Sequence, residues 1–195
     1  MNPLATLRGK ISHIINNTNQ QDDRSKYFVA VIDCIMNQNT RDAGAAVFSA
    51  MNWEVVLLCN KYNVGILQMP CPEIAFMGFA RTRPPGISIR AALDTQEGRA
   101  SCRTLSIDIA ERIENIIQQD AGLLAILGGN PESPGCAVHT DDGEESKPSG
   151  VLISELRDEL QQREISVPFR GIRDFDSRLM TADIQWLEQL FLKNI

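Results

Sequence analysis

The cysteines are the residues of this chain with the clearest capacity for chemistry. Five occur among its 195 residues: Cys34, Cys59, Cys71, Cys102 and Cys136. Because their number is odd and they are widely scattered, they do not predict a disulfide framework. Free thiolates or metal ligands are then the roles to weigh, and a reducing, cytoplasmic location is expected.

Cys71 stands in an unusual context. In "VGILQMPCPEI" an apolar run stops, and Cys71 follows between Pro70 and Pro72 with Glu73 directly behind. Proline fixes φ and lacks a backbone donor, so the loop is stiff where it holds the sulfur. A Pro-Gly pair precedes Cys136 in a similar way. Stiff loops of this kind suit a site that must not rearrange.

Three apolar runs must position three of the cysteines. They have the length and continuous apolar pattern of strands buried on both faces: "YFVAVID", "VGILQM" and "AGLLAILGG". Cys34 follows the first run at once, and Cys71 comes two residues after the second. Cys136 follows the third run after a longer loop.

Amphipathic helical patterns alternate with these strands. They cover about residues 3–16, 47–62, 102–119, 151–162 and 184–191, and a short further strand is predicted near "ISVPF". Buried strands that alternate with helices predict an α/β fold, a Rossmann-like three-layer domain with a short, mostly parallel sheet flanked by helices. Irregular segments are expected at about 75–100 and in the acidic "HTDDGEESKPSG".

A parallel sheet brings the carboxyl ends of its strands to one edge, where ligands bind in such folds. Cys34, Cys71 and Cys136 should therefore converge, whereas Cys59 and Cys102 lie in helical patterns. Three thiols suit a soft metal centre, with an iron–sulfur cluster or zinc as candidates. Their spacings match neither a ferredoxin run nor a paired C-x-x-C zinc site. The alternative is that all three are small buried hydrophobic residues.

Composition limits the classes of partner. The chain is 43% hydrophobic and 23% charged, with a net charge of −6. This balance does not favour stable nucleic-acid binding, although it leaves a thiolated tRNA open as a substrate. No apolar run approaches the roughly 20 residues of a membrane span, and no signal-peptide core is evident at the N-terminus.

Several short motifs resemble the thiouracil desulfidase family. They are "QMPCPEI", "RTRPP" and "ESPGC", preceded by a cysteine after the first strand. The resemblance covers roughly residues 27–174, which we interpret as a desulfidase-like α/β domain. Residues 1–26, an N-terminal helix and polar linker, have no counterpart, and residues 175–195 form a C-terminal helix expected to pack on the same domain. Gly135 and Ala137 depart from the family pattern.

The resemblance implies a cofactor and an activity. In the family a 4Fe–4S cluster is held by three cysteines, here Cys34, Cys71 and Cys136, with one iron open to the sulfur of a small thiolated substrate. Glu73 and Ser133 match positions that face the substrate, so they are the expected catalytic residues. The implied enzyme is a non-redox desulfidase that converts a small thiocarbonyl compound, such as a thiolated nucleobase or nucleoside, into the oxo product and sulfide. The alternatives are zinc as the metal and a non-catalytic, metal- or cluster-binding sensor or structural domain.

Simpler interpretations exist for the same residues. Glu73 fits the first turn of a helix, where acids are favourable, and Ser133 before a proline is a common turn residue. Arg81 and Arg83 would neutralise a cluster or an anionic substrate, or they would belong to a solvated loop.

Other residues near the motifs have weaker assignments. Asp33 and Asn37 flank the first cysteine and are candidates for hydrogen bonds to a cluster sulfur. His139 is a candidate proton shuttle, with a surface histidine as the favoured interpretation. Cys102 is the candidate fourth ligand, which would close the cluster.

Overall fold

The computed structural model of the protein describes residues 23–139 and 149–195. Its strands are β1 (Tyr27–Ile32), β2 (Gly65–Met69), β3 (Gly122–Gly128) and β4 (Phe169–Gly171). Its helices are α1 (Asp33–Met36), α2 (Trp53–Lys61), α3 (Pro72–Met77), α4 (Ile89–Leu93), α5 (Gln96–Ile117), α6 (Val151–Gln162) and α7 (Ser177–Asn194), with a 3₁₀ turn at Gln38–Thr40.

The four strands form one all-parallel sheet in the order β2-β1-β3-β4. The central strands β1 and β3 are almost entirely buried, because helices cover a parallel sheet on its faces. Their apolar runs match this burial, so the predicted α/β, Rossmann-like three-layer fold is confirmed. The carboxyl ends of all four strands therefore meet along one edge of the sheet.

The helices bury apolar stripes at helical spacing. On α6 the fully buried Leu152, Leu156 and Leu160 repeat every four residues and face the core. Leu187 and Phe191 repeat in the same way on α7 and join the same core. Each such side chain contributes about 1.5–3 kcal/mol when it is buried. None of the helices in the described ranges has both the length and the apolar composition that a membrane span requires.

Two elements near the second strand differ from their predictions. The predicted start of the helix over 47–62 was wrong, because the helix begins at Trp53. The Asn52 side chain accepts the Val55 N–H and caps the helix there. Val47 consequently lies outside the helix and is exposed. The strand β2 is an edge strand with partly exposed residues rather than a strand buried on both faces, since it has a neighbour on one side alone.

The segment predicted as irregular over 75–100 contains the second half of α3, all of α4 and the first turn of α5. The Ser88 side chain caps α4, and the Thr95 side chain caps α5. Capping residues of this kind mark a helix start that apolar periodicity does not show. The short strand predicted near "ISVPF" is β4, which lies at Phe169–Gly171 and begins at the last residue of that segment. The predicted helix at 3–16 and most of the acidic loop fall outside the described residues.

Candidate functional site at the carboxyl edge of the sheet

The carboxyl ends of three neighbouring strands each lead into a cysteine. Cys34 is the second residue of α1, immediately after β1, and Cys71 is the N-cap of α3, two residues after β2. Cys136 ends the turn that follows β3, where Gly129 and Ala137 form an isolated parallel bridge. Cys136 is buried, and the other two thiols are half-buried.

The three thiols influence one another electrostatically. Desolvation by burial raises the pKa of Cys34 to about 11, and it also raises the pKa of Cys71. The pKa of Cys136 is raised well above its ordinary value by burial, and charge on Cys34 and Cys71 adds to that rise. Such coupling falls off with distance, so the three thiols lie near one another at this edge of the sheet.

A tight turn fixes the Cys136 sulfur. The Gly129 N–H donates to the Cys136 carbonyl at 2.7 Å. A Cβ at position 129 would lie 2.9 Å from Cys136 Sγ and 2.7 Å from Ser133 Oγ, so the turn requires a glycine there. A Cβ at Gly135 would lie 2.6 Å from Pro72 Cγ, which shows how closely the turn packs on the start of α3. The sequence analysis missed Gly129, although a glycine pair at a strand end is a signal of close backbone approach.

Ser133 lies inside this turn. Its N–H donates to the Asn130 carbonyl at 3.0 Å, and its hydroxyl lies 3.3 Å from Asn130 Oδ1. The hydroxyl also hydrogen-bonds the Cys136 sulfur. Ser133 is thus a turn residue whose side chain touches one of the three thiols.

Glu73 is buried beside Cys71 and forms an ion pair. Arg81 Nε donates to Glu73 Oε2 at 2.7 Å, and the two side chains are 4% and 11% exposed. Arg81 also donates to the Thr40 carbonyl at 2.8 Å, so it connects the first turn of α3 to the segment after β1. Arg83 instead donates to the carbonyls of Ile87 and Arg81, as a loop residue does.

A second buried ion pair lies beside Cys34. The Arg41 guanidinium hydrogen-bonds both the Cys34 sulfur and Asp174 Oδ2. Asp174 comes three residues after β4, and its side chain has 0% exposure. Across the described residues, Asp174 Oδ1 is the buried side-chain polar atom that has no hydrogen-bond partner. Neither residue was predicted from the sequence, because the pair joins positions that lie far apart in the chain.

The other two cysteines lie elsewhere. Cys102 is fully buried inside α5, where burial raises its pKa to about 11 and charge on Glu155 adds to that rise. Burial alone raises the pKa of Cys59 to about 12. The charges that act most on the Cys102 thiol are those of Glu155 and Arg99, and burial is the cause of the Cys59 shift.

The flanking polar residues have other partners. Asp33 Oδ1 accepts a hydrogen bond from Gln68, and Asn37 Oδ1 accepts the Asn39 N–H, so their described bonds do not reach a cysteine sulfur. Gln38 instead donates to the Cys34 carbonyl at 2.6 Å. His139 is half-buried at the end of the first described range.

The donor set at this edge is chemically suited to a soft metal centre, since it consists of thiols. Within 23–139 and 149–195, however, no three Cys, His, Asp or Glu side chains form a group that could hold a metal ion. A single zinc ion needs four donors at about 2.0–2.3 Å from one point.

Comparison with known proteins adds a distant relative. The chain is similar to an uncharacterized protein of Methanocaldococcus jannaschii, with 26% identity over 144 residues that cover 74% of this chain and 84% of the relative. No family model matches the chain, and no solved structure matches it.

Proposed function

We propose that the protein is an iron–sulfur-dependent, non-redox desulfidase that removes sulfur from a small thiocarbonyl compound. A thiolated nucleobase or nucleoside is the substrate that we expect. One observation carries the proposal: Cys34, Cys71 and Cys136 follow three adjacent strands and are coupled at one edge, while Cys59 and Cys102 lie apart. Three thiolates leave one iron of a 4Fe–4S cluster without a cysteine ligand.

The reaction is a hydrolysis, in which the thiocarbonyl compound and water give the carbonyl compound and hydrogen sulfide. When bound, the cluster supplies a Lewis-acidic iron that polarises the thiocarbonyl sulfur. No oxidant or reductant is consumed, because the C=S and C=O carbons have the same oxidation state.

The chain's own side chains supply the proton transfer and orientation. Glu73 Oε2 accepts from Arg81, so Oε1 is the oxygen that we expect to take a proton from the attacking water. The Ser133 hydroxyl already touches Cys136, and from there it can hydrogen-bond a substrate held at the same edge. Burial of Glu73 and Arg81 keeps bulk water away from the proton acceptor.

The direct test is anaerobic reconstitution of the full chain with iron and sulfide. We expect a brown protein with about four irons per chain, and sulfide release from at least one compound in a panel of thiolated bases, nucleosides and thioamides. Cys102→Ala serves as the matched control and should retain its iron. A colourless wild-type protein that holds no iron after this treatment would refute the proposal.

A second candidate is a non-catalytic, cluster-binding sensor or structural domain. The engagement of Glu73 by Arg81 favours it, because a buried ion pair stabilises a loop without any role in catalysis. Glu73→Gln separates the two functions, since the amide keeps the shape and loses the proton acceptor. If Glu73→Gln keeps its iron content and loses sulfide release, the desulfidase is supported. If sulfide release is unchanged in this variant, Glu73 does not have the assigned role.

A further inference from the structure

Asp174 is the fourth residue that a strand delivers to the carboxyl edge of the sheet. Cys71, Cys34 and Cys136 follow β2, β1 and β3, and Asp174 follows β4 in the same spatial order. Its carboxylate is electrostatically coupled to the Cys34 thiol. Asp174 therefore lies beside the Cys34 thiol, whereas Glu73 lies beside Cys71.

The two carboxylate oxygens of Asp174 differ in their hydrogen bonding. Arg41 donates to Oδ2, and Arg41 is itself positioned by bonds to the Cys34 sulfur and the Ala45 carbonyl. Among the residues that the structure describes, no donor reaches Oδ1. Buried polar atoms are nearly always paired, and one left unpaired keeps its full desolvation penalty, which is larger for a charged group. Because the side chain has 0% exposure, bulk solvent does not supply the missing donor.

An ionised carboxylate accepts hydrogen bonds and cannot donate them, so the missing partner carries an N–H or O–H. A thiocarbonyl carbon bonded to a ring or chain nitrogen places such an N–H one bond away from the reacting carbon. With the sulfur directed to the thiol-lined end of the site, that N–H lies on the flank of the substrate and within reach of a neighbouring acceptor.

We infer that Asp174 is a specificity-determining residue whose Oδ1 accepts the N–H next to the thiocarbonyl, so that the site selects thioamide-type compounds with an unsubstituted nitrogen. The inference rests on the proposed function for the identity of the site. It adds the substrate class, which the three thiols alone do not define. A site that offers a buried acceptor rejects a ligand lacking the matching donor far more strongly than an apolar pocket rejects an extra methyl group.

The test uses two pairs of ligands that differ in one methyl group. One pair is 4-thiouracil and 3-methyl-4-thiouracil, followed by sulfide release, and the other is uracil and 3-methyluracil, followed by calorimetric binding to the reconstituted protein. We expect the N–H member of each pair to be favoured by about 10- to 100-fold, the range for a hydrogen bond to a charged acceptor. Equal binding of uracil and 3-methyluracil to the wild-type protein overturns the inference without any variant.

Asp174→Asn makes the test specific to Oδ1. Arg41 requires an oxygen at the Oδ2 position, so the new amide must direct its NH₂ group to the Oδ1 position, where it opposes the substrate N–H. We expect uracil to lose about 10-fold or more in affinity, while the weaker binding of 3-methyluracil stays unchanged. Asp176→Asn is the matched control from the same loop, because asparagine also caps a helix and the N–H bonds of Asp176 are retained.

The outcomes separate the two proposals. Loss of the N–H preference in Asp174→Asn together with normal iron content supports the inference. An unchanged preference in that variant assigns Oδ1 to an enclosed water and overturns the inference. Absence of sulfide release from every thiolated compound removes the desulfidase, whereas the uracil and 3-methyluracil binding ratio still decides the role of Asp174.

Discussion

Cys34 and Cys102 have the same pKa of about 11, but the regions around them differ in kind. Cys102 lies within the packing of α5 against α6, and the acid that acts most on it is Glu155. Cys34 lies at the carboxyl edge of the sheet, hydrogen-bonded by Arg41 and coupled to a second thiol. Burial of a thiol is therefore a property of the core in general. A candidate site additionally needs several thiols that converge from separate strands.

The ion pairs of the two regions differ in the same way. Glu155 accepts from Arg103, which is 68% exposed, so the charge is shared with solvent. At the sheet edge the side chains of Arg81 and Arg41 are only 4% and 10% exposed. The cations at the sheet edge are therefore buried with their acids, whereas the Arg103 cation at the helix interface lies in solvent.

The largest expected effect concerns iron binding. Cys34→Ser, Cys71→Ser and Cys136→Ser should each lose most of the iron after anaerobic reconstitution, because each removes one of three thiolates. Cys59→Ala and Cys102→Ala should retain iron at the wild-type level, since neither thiol reaches the sheet edge. Iron and acid-labile sulfide analysis measures both groups. Loss of iron in Cys102→Ala to the same degree would remove the distinction between the two regions.

The next effect concerns the two kinds of ion pair. Arg81→Met leaves Glu73 buried without its partner, which should lower the free energy of unfolding by about 3 kcal/mol or more. Arg103→Met breaks a pair whose arginine side chain is 68% exposed, so it should cost much less. Urea denaturation of the metal-free protein measures both values. Equal losses would show that the Arg81 pair is as solvated as the Arg103 pair.

A smaller effect comes from the turn that holds Cys136. Gly129→Ala places a methyl group against Cys136 Sγ and Ser133 Oγ, and overpacking of this kind costs about 1–3 kcal/mol. Gly122→Ala is the control at the opposite end of β3, where the nearest atom to a Cβ is 3.5 Å away. Thermal unfolding compares the two variants. We expect Gly129→Ala to lose iron as well, because the sulfur must move to admit the methyl group.

The sequence was sufficient to predict the sheet edge but not the charged groups that line it. The apolar runs before Cys34 and Cys136 specify strands by pattern alone, and parallel topology then brings the thiols together. The partners of Arg41 and Arg81 depend on contacts over long sequence separations, from residue 41 to Asp174 and from Arg81 to Thr40. Local pattern does not encode such contacts. The short helices α3 and α4 are too short for apolar periodicity to predict them; α3 begins at Pro72, and the Ser88 side chain caps α4.

The smallest expected effect tests the similarity between the two regions. The ordinary pKa of a cysteine thiol is 9.0, and the folded protein raises that of Cys102 and Cys34 to about 11. The unfolded chain therefore releases these protons first as the pH rises. This contribution to the free energy of unfolding is fully present below pH 9 and is lost progressively up to about pH 11.

Each of these two thiols should lower the free energy of unfolding of the metal-free protein by about 0.4 kcal/mol at pH 9 and about 0.8 kcal/mol at pH 9.5. Cys102→Ala and Cys34→Ala should each flatten the decline between pH 8 and pH 9.5 by a similar amount, because burial raises the pKa of both thiols to about 11. Urea denaturation at several pH values measures the slope, which is independent of the constant cost of the substitution. The two variants then agree in alkaline stability and differ in iron binding, so convergence of thiols, rather than burial, accounts for the difference. A flatter slope in Cys102→Ala alone would mean that the Cys34 thiol is already ionised beside Arg41 in the folded protein.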